Sequence, residues 1–271
     1  MILLGFDVEE FDLPLEYGRS ISFDEQLQIS TNGTNSILKL LRSANVKATF
    51  FCTANYALHK PDVIAIIVNE GHEIASHGYF HSDFKTEHLK QSKLVLEDIS
   101  GTEVMGFRMA RMMPVDEAEI KMAGYTYNSS INPTWLPGRY NNFDKPRTWF
   151  YDQGVLQIPA SVSPLIRFPL FWLSFHNLSL PLIKWMSSAA YRKDGYLNLY
   201  FHPWEFTNLH NKEKYGLPGY ISKNSGEPFI LRIKGFIEWA KSKGYEFSRT
   251  NDFASSVMKK QTVIETLAPV Q

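Results

Sequence analysis

Five times along this chain a helical pattern stops at a glycine or asparagine and a short apolar run follows. The junctions are Asn45 before residues 46–51, Gly71 before 72–76, Gly101 before 104–108, Gly124 before 125–129 and Gly244 before 245–247. Residues that tolerate positive φ close a helix without a Cβ clash, so each junction marks a helix-to-strand connection. The segments between them carry apolar stripes at spacings of three and four: Ile37, Leu38, Leu40, Leu41 and Ala44; Val63, Ile64, Ile67 and Val68 behind Pro61; Ile230, Ile233, Ile237 and Ala240 behind Pro228. Such stripes predict helices with one buried face, and proline fits the first turn, where its missing donor is not needed. Short apolar strands alternating with helices predict an α/β fold with a parallel sheet covered by helices. At 271 residues this fits an irregular (β/α) barrel.

The repeat is lost between residues 132 and 195, where Pro, Trp, Phe and Asn dominate. Within that insertion residues 154–160 read as one more barrel strand, and residues 197–202 form another directly after it. No linker, charge block or internal repeat divides the chain, so a single domain over residues 1–271 is expected.

Composition narrows the function classes. Lys+Arg and Asp+Glu both number 28, so no global field draws the protein to nucleic acid. The one cysteine, Cys52, rules out an internal disulfide, and its apolar neighbours mark it as a small buried hydrophobe rather than a nucleophile. Asp7 interrupts the opening apolar run, and no uncharged stretch is long enough to span a bilayer, so a cytoplasmic protein is expected. Segment 165–186, with Phe168, Phe171, Trp172, Phe175 and Trp185, reads as a core-covering or dimer-contact insertion. The sharper alternative is a peripheral membrane contact. Oligomeric state is not legible.

The polar clusters fall at predicted strand ends, where parallel barrels carry their functional residues. Asp7, Glu9 and Glu10 follow the first strand, His77 and His81 a later one, Arg108 the run 104–107, and His202 the run 197–201. Imidazoles at i and i+4 project from one side of a helical turn and can reach one ion. A carboxylate from elsewhere completes three ligands and leaves a position for water, the pattern of a catalytic rather than a structural metal.

In combination and in order, Phe6-Asp7-Val8-Glu9, the run His72-Glu-Ile-Ala-Ser-His77-Gly-Tyr79-Phe-His81, and His202-Pro203-Trp204-Glu205 resemble the polysaccharide deacetylases of the NodB-homology type, carbohydrate esterase family 4 and its relatives. The resemblance extends from residue 1 to about 253. It implies a distorted (β/α) barrel of seven or eight strands, a carbohydrate substrate, and a divalent metal, zinc first, with Co2+, Mn2+ or Fe2+ as alternatives. Carried over by position, it implies Asp7 as general base, Glu9, His77 and His81 as metal ligands with Glu10 the next candidate, Arg108 as the partner of the base, and His202 as general acid. Beside these, Trp204 and Tyr79 are the expected substrate contacts.

Three positions depart from the family pattern: Ala110 stands where proline is usual, Asn128 where an aspartate is common, and Glu9 where the shorter aspartate is usual. His72 reads as structural, and His176 and His210 as loop residues. Trp204 and Glu205 read either as packing and surface residues or, for the tryptophan, as a platform for a sugar ring. The expected activity is removal of N-acetyl or O-acetyl groups from a bacterial polysaccharide or its precursor. Alternatives are a metal-independent amidase of the allantoinase-like type and a non-catalytic carbohydrate-binding protein.

Overall fold

A computed structural model describes residues 1–138 and 140–267, so residue 139 and residues 268–271 of the expected domain lie outside the described residues. The strands are β1 (Ile2–Val8), β2 (Thr49–Cys52), β3 (Glu73–Ser76), β4 (Gly106–Phe107), β5 (Tyr127–Asn128), β6 (Trp135–Leu136), β7 (Tyr140–Asn141), β8 (Phe150–Asp152), β9 (Val155–Gln157), β10 (Leu197–Phe201) and β11 (Phe247–Ser248). One sheet runs in the order β10-β1-β2-β3-β4-β5-β9-β8, with β11 on β1. Its strands are parallel except β8, which forms an antiparallel hairpin with β9.

The sheet curls into a distorted barrel, and Asn198 of β10 spans the seam. Its side-chain amide donates to the carbonyls of Ile158 and Pro159, and its own carbonyl accepts from Ser161 N at 2.9 Å. The seam is therefore held by one amide and a short stretch of backbone rather than by a full ladder. All five junction residues adopt positive φ, from 48° at Asn45 to 91° at Gly124. The predicted helices are Phe23–Ala44, Pro61–Asn69 and Glu227–Ser242, with Ile37, Leu41, Ile64, Ile67, Ile233 and Ile237 buried.

The strand expected over 104–108 shortens to two residues. Glu97 takes the N–H of Val104, and the Met105 carbonyl is shared by the N–H groups of Thr126 and Tyr127, which leaves no room for a longer regular ladder. Below it, Leu3, Phe51, Ala75, Tyr127 and Leu156 fill the barrel and pack against Phe253, Ala254 and Val257 of the last helix, Thr250–Leu267. That helix closes the bottom, so the open mouth lies at the carboxyl ends of the strands.

The aromatic segment divides in two. Phe171, Trp172 and Phe175 are buried, whereas Trp185, Leu165 and Ile166 are 66%, 93% and 74% exposed. Among the described residues no helix is long and apolar enough to cross a membrane.

Candidate active site

Alternation along β1 sends Leu3, Gly5 and Asp7 to the barrel interior. Arg108 follows β4 and reaches across to them. Its guanidinium, fully buried, donates from Nη1 to Asp7 Oδ1 at 2.7 Å, from Nε to the Ser129 carbonyl at 3.1 Å and from Nη2 to Ser129 Oγ at 3.0 Å. Its carbon lies 3.9 Å from the centre of the Phe51 ring. Gly5 makes this possible: a Cβ there would stand 2.7 Å from Nη1.

His77 and His81 lie in the loop after β3, not on the helical turn that their spacing predicts. Gly78, at φ +86°, turns the chain directly after His77, and the loop brings the two rings to 6.3 Å in near-parallel planes. His77 Nδ1 meets the Arg108 carbonyl at 2.8 Å, and His81 Nδ1 meets Asp12 Oδ1 at 2.8 Å. A carbonyl can only accept, so His77 donates to it from Nδ1, and its Nε2 is turned towards Glu9. Both Nε2 atoms stand 3.2 Å from the same oxygen, Glu9 Oε2.

Electrostatics mark this spot for positive charge. Burial alone would raise the Glu9 carboxyl; the charge of His81 and the bond to His77 outweigh it and hold it at about 2. Burial likewise opposes charge on His81, but Glu9 and Asp12 raise it to about 9. The proton His81 holds against Glu9 stands where a metal cation would, and acceptor-held imidazoles beside a carboxylate are the donor types a divalent ion takes. The donors stand at hydrogen-bonding distance and would part to admit an ion; among the described residues no trio is already spaced around one. Glu10 is turned away, accepting from Thr53 and Asn55.

The third group is His202, at the end of β10. Its Nδ1 lies 2.9 Å from Glu205 Oε1, and its ring stacks on Trp204 at 4.9 Å and meets the edge of Trp172. The turn Pro203–Phe206 docks against the long helix at Gly33, where any Cβ would fall 1.9 Å from the Pro203 carbonyl oxygen. Asp7, Glu9, His77, His81, His202 and Trp204 all line one cavity of about 380 Å³, walled further by Met109, Arg111, Trp172 and Tyr200. Tyr79 does not line it; its ring packs on Phe80 and His88.

Residues 19–124 match the family model described as polysaccharide deacetylase. This segment is polysaccharide deacetylase-like. The chain is 40% identical over 50 residues to a chitooligosaccharide deacetylase of Bradyrhizobium sp. (strain ANU 289), a span of 18% of this chain and 23% of that protein. The matches cover a quarter or less of the length of the curated relatives. Among solved structures, a Pseudomonas aeruginosa PAO1 protein provisionally named a polysaccharide deacetylase superposes with a TM-score of 0.66 at 17% identity, covering 100% of this chain and 92% of that one. Puue allantoinase superposes at 0.63 with 18% identity, covering 94% and 88%. At these identities the structural likeness is one of fold.

The polysaccharide deacetylase-like segment holds His77, His81 and Arg108, while Asp7, Glu9 and His202 lie outside it and join them only through the barrel. Four site residues escaped the sequence reading. Asp12 carries His81, and the acidic run from Glu9 was its only signal. Ser129 carries Arg108. Glu205 is fully buried rather than on the surface, and His176 is a buried helical residue rather than a loop residue, bonded to Glu205. Asn128 does not touch Arg108; its amide donates to Glu117 Oε1 at 3.1 Å and to Gln157 Oε1 at 3.1 Å. A carboxylate at 128 would face Glu117, so the amide suits this site.

Proposed function

We propose that this chain is a metal-dependent hydrolase that removes N-acetyl groups from a bacterial polysaccharide or its saccharide precursor. The observation that carries the reading is the convergence of Asp7, held from behind by Arg108, the Glu9–His77–His81 cluster and His202 on one cavity. A divalent cation held by Glu9, His77 and His81, with zinc the first candidate, would supply Lewis acidity to polarise an acetyl carbonyl and acidify a water.

The chain's own residues do the rest. Asp7 has one oxygen committed to Arg108 and its second available to take the proton of the attacking water, and the guanidinium fixes that carboxylate in place. His202 has Nδ1 committed to Glu205, so Nε2 is the atom that delivers a proton to the departing amine as the carbon–nitrogen bond breaks. Trp172, Trp204 and Tyr200 give the cavity aromatic surface of the kind that packs on pyranose rings.

Acetate release from N-acetylglucosamine oligomers by zinc-loaded protein tests the proposal, with an O-acetylated glycan as the second arm. Release is expected from wild type and lost in His77→Ala. Equal release by the two proteins overturns the reading.

A further inference from the structure

Behind His202 lies a second imidazole that the proposed reaction does not use. His176 belongs to the short helix Trp172–Asn177, which also delivers Trp172 to the cavity wall one turn earlier. His176 and Glu205 are both fully buried. Glu205 accepts three hydrogen bonds: His202 N at 2.6 Å and His202 Nδ1 at 2.9 Å on Oε1, and His176 Nε2 at 2.9 Å on Oε2. The other ring nitrogen of His176, Nδ1, is buried with no hydrogen-bond partner among the described residues, and the ring stacks on Phe229 at 4.1 Å.

These contacts fix the direction of the bond. A carboxylate oxygen accepts, so His176 donates from Nε2 to Oε2 and ties down the far side of Glu205, while Oε1 faces His202.

We propose that His176 is a positioning residue for the general acid: it holds the far oxygen of Glu205 so that the near one keeps His202 Nδ1–H in place and Nε2 turned to the departing amine. The proposal rests on the deacetylase reading. In the step it serves, the carbon–nitrogen bond breaks, nitrogen keeps the electron pair and takes the Nε2 proton, and His202 is left neutral.

The test compares His176→Phe, which keeps the stack on Phe229 but removes the donor, with His176→Gln, which restores one. On an N-acetylglucosamine oligomer, His176→Phe is expected to lower kcat by at least about tenfold with KM within about twofold, and His176→Gln to recover most of the loss. On 4-nitrophenyl acetate, whose leaving group needs no proton, both variants are expected to match wild type. Equal kcat on the oligomer, or equal losses on both substrates, overturns the role of His176. Should wild type release no acetate from the oligomer, the deacetylase reading fails instead, and NMR of the imidazoles still decides. A hydrogen-bonded His202 Nδ1 proton seen in wild type and His176→Gln but lost in His176→Phe supports the positioning, and its persistence in His176→Phe overturns it.

Discussion

Arg108 Nη1 stands 2.7 Å from Asp7 Oδ1, and neither side chain has more than a few per cent of its surface in solvent. One residue comes from β1 and the other from the loop after β4, 101 positions later. Removing one partner of such a pair leaves a buried charge uncompensated, a loss of about 3–5 kcal/mol. The geometry at this point is therefore tied to the stability of the barrel, and the Asp7 carboxylate inherits a fixed position from it.

Gly5 is where that tie is most easily strained. An added methyl group would lie 2.7 Å from Nη1, and Asp7 and Ser129 leave the guanidinium little room to retreat. Gly5→Ala is expected to destabilise the fold by about 1–3 kcal/mol in urea unfolding and to lower kcat severely. Wild-type stability and turnover in this variant would mean that Arg108 is not confined as described.

Asp12 shapes the Glu9–His77–His81 cluster, the proposed metal site, without belonging to it, through its bond to His81 Nδ1. Loss of such an outer carboxylate weakens metal affinity by about 10–100-fold, so Asp12→Asn should fall in that range for zinc, measured by competition with a chromophoric chelator. Glu9→Gln should fall further, because it removes a ligand. Asp12→Asn binding zinc as tightly as wild type would show that His81 needs no such support.

His72, buried beside Phe50 and accepting from Ala48 N, is lowered to about 4, chiefly by burial and then by the charge of Lys47. Its unfolded value is 6.5, so between pH 6.5 and 4 the unfolded chain binds the extra proton and stability falls as pH falls. Below about 4 this contribution is spent. Urea unfolding of wild type and His72→Gln across that window should give a steeper decline for wild type, and parallel curves would remove His72 as the cause.

The barrel was legible because its two signals, helix-ending residues and apolar periodicity, are local. Asp7, Glu9, His77, His81 and His202 were legible through short runs at strand ends. What stayed hidden depends on contacts far apart in the chain. His176 meets Glu205 29 positions away and Asp12 meets His81 69 away, and neither pair has a local spacing that announces it. The histidine loop escaped for a different reason: i,i+4 spacing is shared by a helical turn and by a loop turned at Gly78. Tyr79, expected as a substrate contact, follows that same turn at Gly78, and its ring packs on Phe80 and His88.

The pH dependence of turnover follows from His202. Burial opposes its charged form, but the hydrogen bond it donates to Glu205 and the charge of Glu9 outweigh this and raise it above the ordinary 6.5. As the proposed general acid, His202 would act only while protonated, so the alkaline limb of kcat should lie above pH 6.5 and be lost as pH rises through the raised value. Glu205→Gln keeps the size of the side chain and removes its charge, leaving burial as the largest influence. The limb should then move to lower pH, and kcat at pH 8 should fall by at least about tenfold, while activity at the acid end is better preserved. A kcat profile unchanged by Glu205→Gln would separate His202 from proton donation and leave the amine to be protonated by another group.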